Sequence, residues 1–368
     1  MKLTISRDTL LEQLNHVVGA IEKKHTKKIL ENLYISVDEK EMTFIGTDLE
    51  IELSSKIEIS ADIVGSITTS AKKMLDICKA LPSECFILLE TDENRLYLKG
   101  VRSRFELTTL PSEDYPLLDD IEFSNEITMP EKSLKELFDN TAFSMANQDV
   151  RYYLNGLYLD ISENTIKTVT TDGHRLALSE YVSDTTMSGS DSSIIIPRKG
   201  VLELSRLLDG TSELPITLYV SDNHIRVKKG NIRFTSKLID GKYPDYQAAI
   251  PASSVYHIEL DRLVFRDTLA RVAILSNEKF RGIRLRFLDG IMTLHSTNPE
   301  KEMAEEEMDV NYTGELLEIG FNVSYLLDAV NHIASETIVL HISNPDSSAL
   351  LAALDDDSTK YVVMPIRL

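Results

Sequence analysis

The 368-residue chain has two cysteines and no apolar run approaching the roughly 20 residues that a bilayer-crossing helix needs. Cys78 and Cys85 do not suggest a disulfide framework. Cys78 lies at helical spacing from Met74 and Leu81, which points to a buried free thiol. Met1-Lys2-Leu3-Thr4 does not begin a signal peptide, so a cytoplasmic location with no membrane partner is expected. No glycine-rich phosphate loop follows a strand, and no His/Cys cluster has metal-ligand spacing. Neither a cofactor nor a metal is expected. There is no low-complexity linker, and the most loop-like stretch, 185–193, reads as a long surface connection.

What the chain does contain is one order of signals given three times. An amphipathic opener leads to a two-strand passage ending in a polar turn, then to a second short helix pattern and a closing strand pair. The strand passages start at Leu33-Tyr34-Ile35-Ser36-Val37, Leu157-Tyr158-Leu159-Asp160-Ile161 and Ile283-Arg284-Leu285-Arg286-Phe287. Their turns carry Asp48, Asp172 and Asn298, about 125 residues apart, which is the size of an independent domain and not of a solenoid unit. The openers span 6–21, 130–145 and 260–276; in the first, Leu10, Leu14, Val17, Val18 and Ile21 form one helical stripe. The second helices are expected over 70–81, 197–208 and 322–333, with Pro197 suited to a first turn. Closing strands fall at 94–110, 224–238 and 349–368. Phe105 and Tyr115-Pro116 are echoed by Phe234 and Tyr243-Pro244. Three α+β domains are therefore expected, at 1–122, 123–251 and 252–368, each with two helices against mostly antiparallel sheet.

Charge is segregated. The chain carries −20, yet the six helical passages together carry +3, so the remainder carries −23. A polyanion facing the helices, with acidic sheets toward solvent, fits this pattern; a plain share of solvated lysines is the bland alternative.

Several motifs, in order along all three repeats, resemble the bacterial sliding-clamp family, the β subunit of DNA polymerase III. They are Gln148-Asp149-Val150-Arg151-Tyr152-Tyr153-Leu154-Asn155-Gly156, Thr171-Asp172-Gly173-His174-Arg175-Leu176-Ala177, Ile196-Pro197-Arg198-Lys199-Gly200, 274–282 and 361–368. The resemblance implies three clamp domains per chain, helices lining the inside and antiparallel sheets outside. Two chains then close head to tail as a homodimer, a six-domain ring around duplex DNA. Such a ring holds DNA by topology, which avoids the barrier that tight phosphate binding would set at each step. Its lining needs positive charge and no base-reading residues, and no recognition-helix or zinc-finger motif is present. By resemblance, Lys24, Gln148, Tyr152, Tyr153, Arg198 and Lys199 match DNA-contacting positions. Lys24 stands where relatives carry arginine, and Gln247 and Ala248 where some are basic, which implies a weaker grip.

The resemblance also implies a ring contact and a docking pocket. Strand 102–107 alternates, with Arg102 and Arg104 on one side and Phe105 and Leu107 on the other. With Lys73, these match the family's basic side; Ile274 and Leu275, with Glu300, Glu302, Glu305, Glu306 and Glu307, match its acidic side. The implied pocket for partner peptides is Leu154, Thr171, Gly173, His174, Arg175, Leu176, Pro244, Ser348, Val362, Met364, Pro365, Ile366, Arg367 and Leu368. A methionine in such a groove adapts to many ligands. Two departures, Ile366 for methionine and Ala249 for a larger apolar residue, reshape the wall. Implied partners are the DNA polymerase III catalytic subunit, an ATP-dependent clamp loader, and other polymerases and repair proteins docking through short peptides. DNA would be bound without sequence preference.

Two other readings compete. Asp172 beside His174 offers an acid next to a base, but no nucleophile accompanies them, and the equivalent turns hold Asp48-Leu49-Glu50 and Asn298-Pro299-Glu300. No catalytic residue is assigned. A repeat scaffold for protein assembly, without DNA, is the more serious rival. Indifference to DNA that can be encircled would favour it.

Overall fold

The computed structural model describes residues 1–22, 26–118, 121–183 and 191–367. Each of the three passages contains eight strands and two α-helices among the described residues. The first runs β1 (Lys2–Ser6), α1 (Arg7–Val17), β2 (Asn32–Val37), β3 (Glu41–Thr47), β4 (Ile51–Glu58), β5 (Gly65–Ser70), α2 (Ala71–Ala80), β6 (Phe86–Asp92), β7 (Arg95–Gly100) and β8 (Ser103–Leu110). The second runs β9 (Asn125–Pro130), α3 (Glu131–Thr141), β10 (Gly156–Ile161), β11 (Thr165–Thr171), β12 (Arg175–Val182), β13 (Ser192–Pro197), α4 (Arg198–Leu207), β14 (Pro215–Val220), β15 (His224–Lys229) and β16 (Ile232–Lys237). The third runs β17 (Tyr256–Asp261), α5 (Arg262–Val272), β18 (Gly282–Leu288), β19 (Ile291–Thr297), β20 (Met303–Asp309), β21 (Leu317–Asn322), α6 (Val323–His332), β22 (Thr337–Ile342), β23 (Ala349–Ala353) and β24 (Thr359–Val363). The loop expected over 185–193 lies largely outside the described residues, and so do Lys24 and Leu368. No described helix is long and apolar enough to cross a membrane.

A strand precedes every helix, and its last residue becomes the helix cap. Ser6 Oγ accepts the Thr9 N–H at 3.1 Å, Asp261 Oδ1 the Val264 N–H at 2.9 Å, and Asn322 Oδ1 the Ser324 N–H at 2.9 Å. Proline takes that place before α3 and α4. Pro197 therefore closes β13, opposite Gly156, and does not lie inside the first helical turn as its spacing had suggested. All three openers tighten into a 3₁₀ turn after the α-helix, at Val18–Ala20, Ala142–Ser144 and Ala273–Leu275. That tightening moves Val18 and Ile21 off the buried stripe of Leu10, Leu14 and Val17, leaving them half-buried.

The described residues form two compact units: one takes 1–132 with 202–238, and the other takes most of the remainder. In the first, one twelve-stranded antiparallel sheet runs β1-β6-β7-β8-β5-β2-β3-β4-β16-β15-β14-β9. In the second, an eight-stranded sheet runs β13-β10-β11-β12-β24-β23-β22-β17, beside a four-stranded sheet, β20-β19-β18-β21. Successive passages are joined by one rule. The fourth strand of one pairs antiparallel with the eighth strand of the next, β4 with β16 and β12 with β24. This continuity is why the compact units cut across the sequence repeats.

In the first and third passages the helices pack in pairs against the strands. Helix α1 packs on α2, β3 and β4, and α5 packs on α6, β19 and β20. Leu10, Leu14, Val17, Met74 and Cys78 are fully buried, each large apolar side chain contributing about 1.5–3 kcal/mol. Cys78 is thus the buried free thiol its spacing predicted, and Cys85 is half-buried.

Candidate functional site

The turn that marks each repeat is built by its own side chains. Asp48 Oδ1 accepts the N–H groups of Glu50 and Ile51 at 2.9 and 2.8 Å; Asp172 Oδ1 accepts those of His174 and Arg175 at 2.9 and 3.1 Å. Asn298 Oδ1 accepts the Glu302 N–H at 2.8 Å. The first two are Asx turns, and in all three copies the recurring Asp/Asn closes a hairpin with its own side chain. The Asp172 carboxylate also holds Arg175 Nε at 3.1 Å. It is committed to structure.

The second copy of this turn borders a groove. Between β12, β24 and the segment 244–249 lies an open cleft of about 360 Å³. Its floor is the buried Leu154, Leu176 and Val362; its walls include Thr171, Gly173, Arg175, Pro244, Tyr246, Ala248, Ala249 and Ser348, with Met364 at the rim, 46% exposed. Nine of the expected pocket residues therefore converge. Arg151, Tyr153, Asp245, Tyr246 and Ala248 also line it and were not expected there. The signal for Tyr246 was its place beside the Tyr243-Pro244 echo, next to Ala249.

Arginines hold the walls apart. Arg151 forks onto Asp149, with Nε to Oδ1 at 3.0 Å and Nη2 to Oδ2 at 2.9 Å, and Nη2 also reaches the Asp172 carbonyl at 3.1 Å. The Arg151 guanidinium beside Asp149 pulls that carboxyl down to about 2. Gly173 has φ +88°, and a Cβ there would lie 2.9 Å from the Arg151 guanidinium nitrogens. Arg175 pairs with Asp172 and Asp328, donates to the Phe143 carbonyl at 2.9 Å, and stacks over Tyr325 at 4.6 Å. Its cation is fully engaged, leaving its stem to line the groove.

The tail departs from expectation after Met364. The Met364 N–H donates to the His174 carbonyl at 2.9 Å, but the Ile366 N–H donates to the Gly320 carbonyl at 2.8 Å. Ile366 and Arg367 consequently line a separate cleft with Asn277, Phe280, Gly282 and Thr297. Pro365, lacking an N–H, stands between the two anchors. His174 supplies its backbone to the tail and is not among the residues lining the main groove.

Of the expected DNA positions, Gln148 is exposed in a left-handed conformation, φ +58°. Its loop is closed by Asn155, whose amide exchanges hydrogen bonds with Asp149, and by Arg198, whose Nη1 donates to the Met145 carbonyl at 3.1 Å. Tyr152 is 57% exposed, whereas Tyr153 faces the groove. Arg198 and Lys199 are half-buried at the start of α4.

Of the expected ring-contact positions, Arg102 lies in the turn before β8, outside the alternating strand, and Arg104 stacks over Tyr97 at 4.9 Å. Phe105 is half-buried, and Leu107 is buried within its own chain. Ile274 is 76% exposed at the 3₁₀ turn after α5, with Leu275 half-buried beside it. Lys73, Glu300, Glu302 and Glu305 are exposed. Glu306 is already held by Arg271 of its own chain, and Glu302 is bonded to Asn298.

A chain of three like α+β passages, joined strand to strand and carrying an open apolar groove, has the build of a repeat clamp. Family models of the DNA polymerase III β subunit match in succession: its N-terminal domain over residues 1–119, its central domain over 128–245 and its C-terminal domain over 247–367. The β sliding clamp of Pseudomonas putida is 43% identical, and that of Escherichia coli K12 41% identical, each alignment covering all of both chains. The crystal structure of the Pseudomonas aeruginosa β subunit superposes with a TM-score of 0.95 at 42% identity, again over all of both chains. A Bartonella birtlesii sliding clamp bound to griselimycin gives 0.96 at 32% identity over the same full coverage. The chain belongs to the DNA polymerase III β-subunit family. Its function is that of a DNA sliding clamp, a processivity factor that does no catalysis itself.

Proposed function

We propose that two copies close head to tail into a ring around duplex DNA. The carrying observation is the joining rule. Fourth strand meets eighth strand at both junctions inside the chain. This leaves β20, a fourth strand at the edge of its sheet, and the stretch of β8 before Thr109, an eighth strand, without that partner. Applying the rule once more, between copies, joins β8 of one to β20 of the other, and two-fold symmetry makes the contact twice. Ile274 and Phe105 then form an apolar centre. Arg102, Arg104 and Lys73 oppose Glu300, Glu302, Glu305 and Glu307, while Glu306 stays with Arg271.

Domains at 1–122, 123–251 and 252–368 are the units of this ring. Lys24, Gln148, Tyr152, Arg198 and Lys199 touch the DNA without reading sequence, and Tyr153 serves the groove instead. The groove takes short apolar peptides of the DNA polymerase III catalytic subunit, of an ATP-dependent clamp loader and of other polymerases and repair proteins. The clamp acts in the cytoplasm, and two grooves per ring permit partner exchange.

Solution mass with retention on closed circular and linear DNA tests the reading. The expected result is a dimer that stays on circles after loading and leaves linear ends, with Ile274→Ala plus Leu275→Ala giving a folded monomer. An unchanged dimer in sedimentation would refute the contact. Equal retention on both DNA forms would favour a scaffold that does not encircle DNA.

A further inference from the structure

We propose that His257 and His341 form a surface site for a divalent transition-metal ion of the zinc class. They stand opposite each other on the antiparallel pair β17–β22, with Nδ1 atoms 2.7 Å apart and ring planes at 86°. Ile258 and Leu260 of β17 point into the core, so His257 and Glu259 point outward. Strand β17 is the edge of its sheet, yet its backbone is pinned here. Asn311 Oδ1 accepts the Glu259 N–H at 3.0 Å, and Asn311 Nδ2 donates to the His257 carbonyl at 3.4 Å. The two imidazoles are thus held on a fixed backbone, with their Nδ1 atoms facing each other.

The geometry that supports an Nδ1–H···Nδ1 hydrogen bond also offers two imidazole nitrogens to one metal ion. Two facing Nδ1 atoms can bond each other only if one carries the proton, whereas a zinc-class ion bonds both. Two nitrogens at about 2.0–2.1 Å from a tetrahedral ion are about 3.3 Å apart, so the rings need part by only about 0.6 Å. Small side-chain rotations on an exposed strand supply that, and water completes the coordination. When both rings are neutral, the donor ring shifts its proton to Nε2 as the ion binds, with no net release. If the pair holds one extra proton, that proton passes to solvent. An oxygen-seeking ion such as magnesium gains nothing from two imidazoles.

Isothermal titration of the full chain with zinc chloride at pH 7.5, beside magnesium chloride, tests the site. One zinc per chain is expected, with a rise in melting temperature and no magnesium response. Affinity should fall at least tenfold in both His257→Gln and His341→Gln, exposed changes whose folding circular dichroism checks. Absence of saturable zinc binding overturns the proposal. Wild-type affinity in both variants overturns it equally, placing any binding among the six remaining histidines.

Discussion

At the scale of single residues, Gly173 is the position where conformation and packing coincide. Leu49 occupies the matching turn of the first passage at φ +80°, so the left-handed conformation alone is bearable for a side chain. At position 173, the added Cβ also meets the Arg151 guanidinium, which braces the groove wall. Gly173→Ala should therefore lower stability by about 1–2 kcal/mol. It should weaken peptide binding more than stability alone explains, read by calorimetry and peptide fluorescence anisotropy. Unchanged affinity would mean that Arg151 does not shape the site. Cys78 offers a second check, because burial pushes its thiol up to about 12. At pH 8, a thiol reagent should label Cys85 promptly and Cys78 only as the chain unfolds; two equal rates would contradict the burial. The turn motif was readable from the sequence because Asx turns are local. The partners of Arg175 were not, since Asp328 and Phe143 lie far along the chain and reach it only through the fold.

At the scale of elements, the helix patterns were legible and several strands were not. Helix periodicity spans many residues. β1, β9 and β17 are five or six residues long and end in the cap of the next helix, which blends them into the opener. β20 reads Met303-Ala304-Glu305-Glu306-Glu307-Met308-Asp309, an acidic run that resembles a loop until its pairing with β19 is seen. The terminal tail divides into two roles. Met364 belongs to the groove, and Ile366 with Arg367 belongs to the neighbouring cleft. Removal of 364–368 should abolish binding of apolar partner peptides and leave the fold intact, because β24 ends at Val363. Changing Ile366 and Arg367 to alanine should cost less than changing Met364 alone when the peptide is short. Near-normal affinity in the truncated protein would mean that peptides dock elsewhere.

At the scale of the whole molecule, DNA binding should be diffuse and salt-dependent. Changing Lys24, Arg198 and Lys199 to alanine should lower the slope of log affinity against log salt by about one for each cation that meets a phosphate. The loss should be equal across DNA sequences, and the dimer should persist in sedimentation. A loss that depends on sequence would point to base readout and count against sliding.

The sequence by itself determined the three-fold repetition, the helix positions, the turn chemistry and most of the groove. Each of these rests on periodicity, on side chains bonding their own backbone, or on motifs that resemble a known family. Only the tertiary structure decided how the passages join and which charges remain available. The pairings β4 with β16 and β12 with β24 link strands more than 170 residues apart, and edge strands carry no local mark of their eventual neighbour. The same holds for Glu306, whose acidic run suggested an outward partner until the fold set Arg271 against it. Backbone pairing and ion pairing over such separations depend on geometry in space, and spacing along the chain does not encode it.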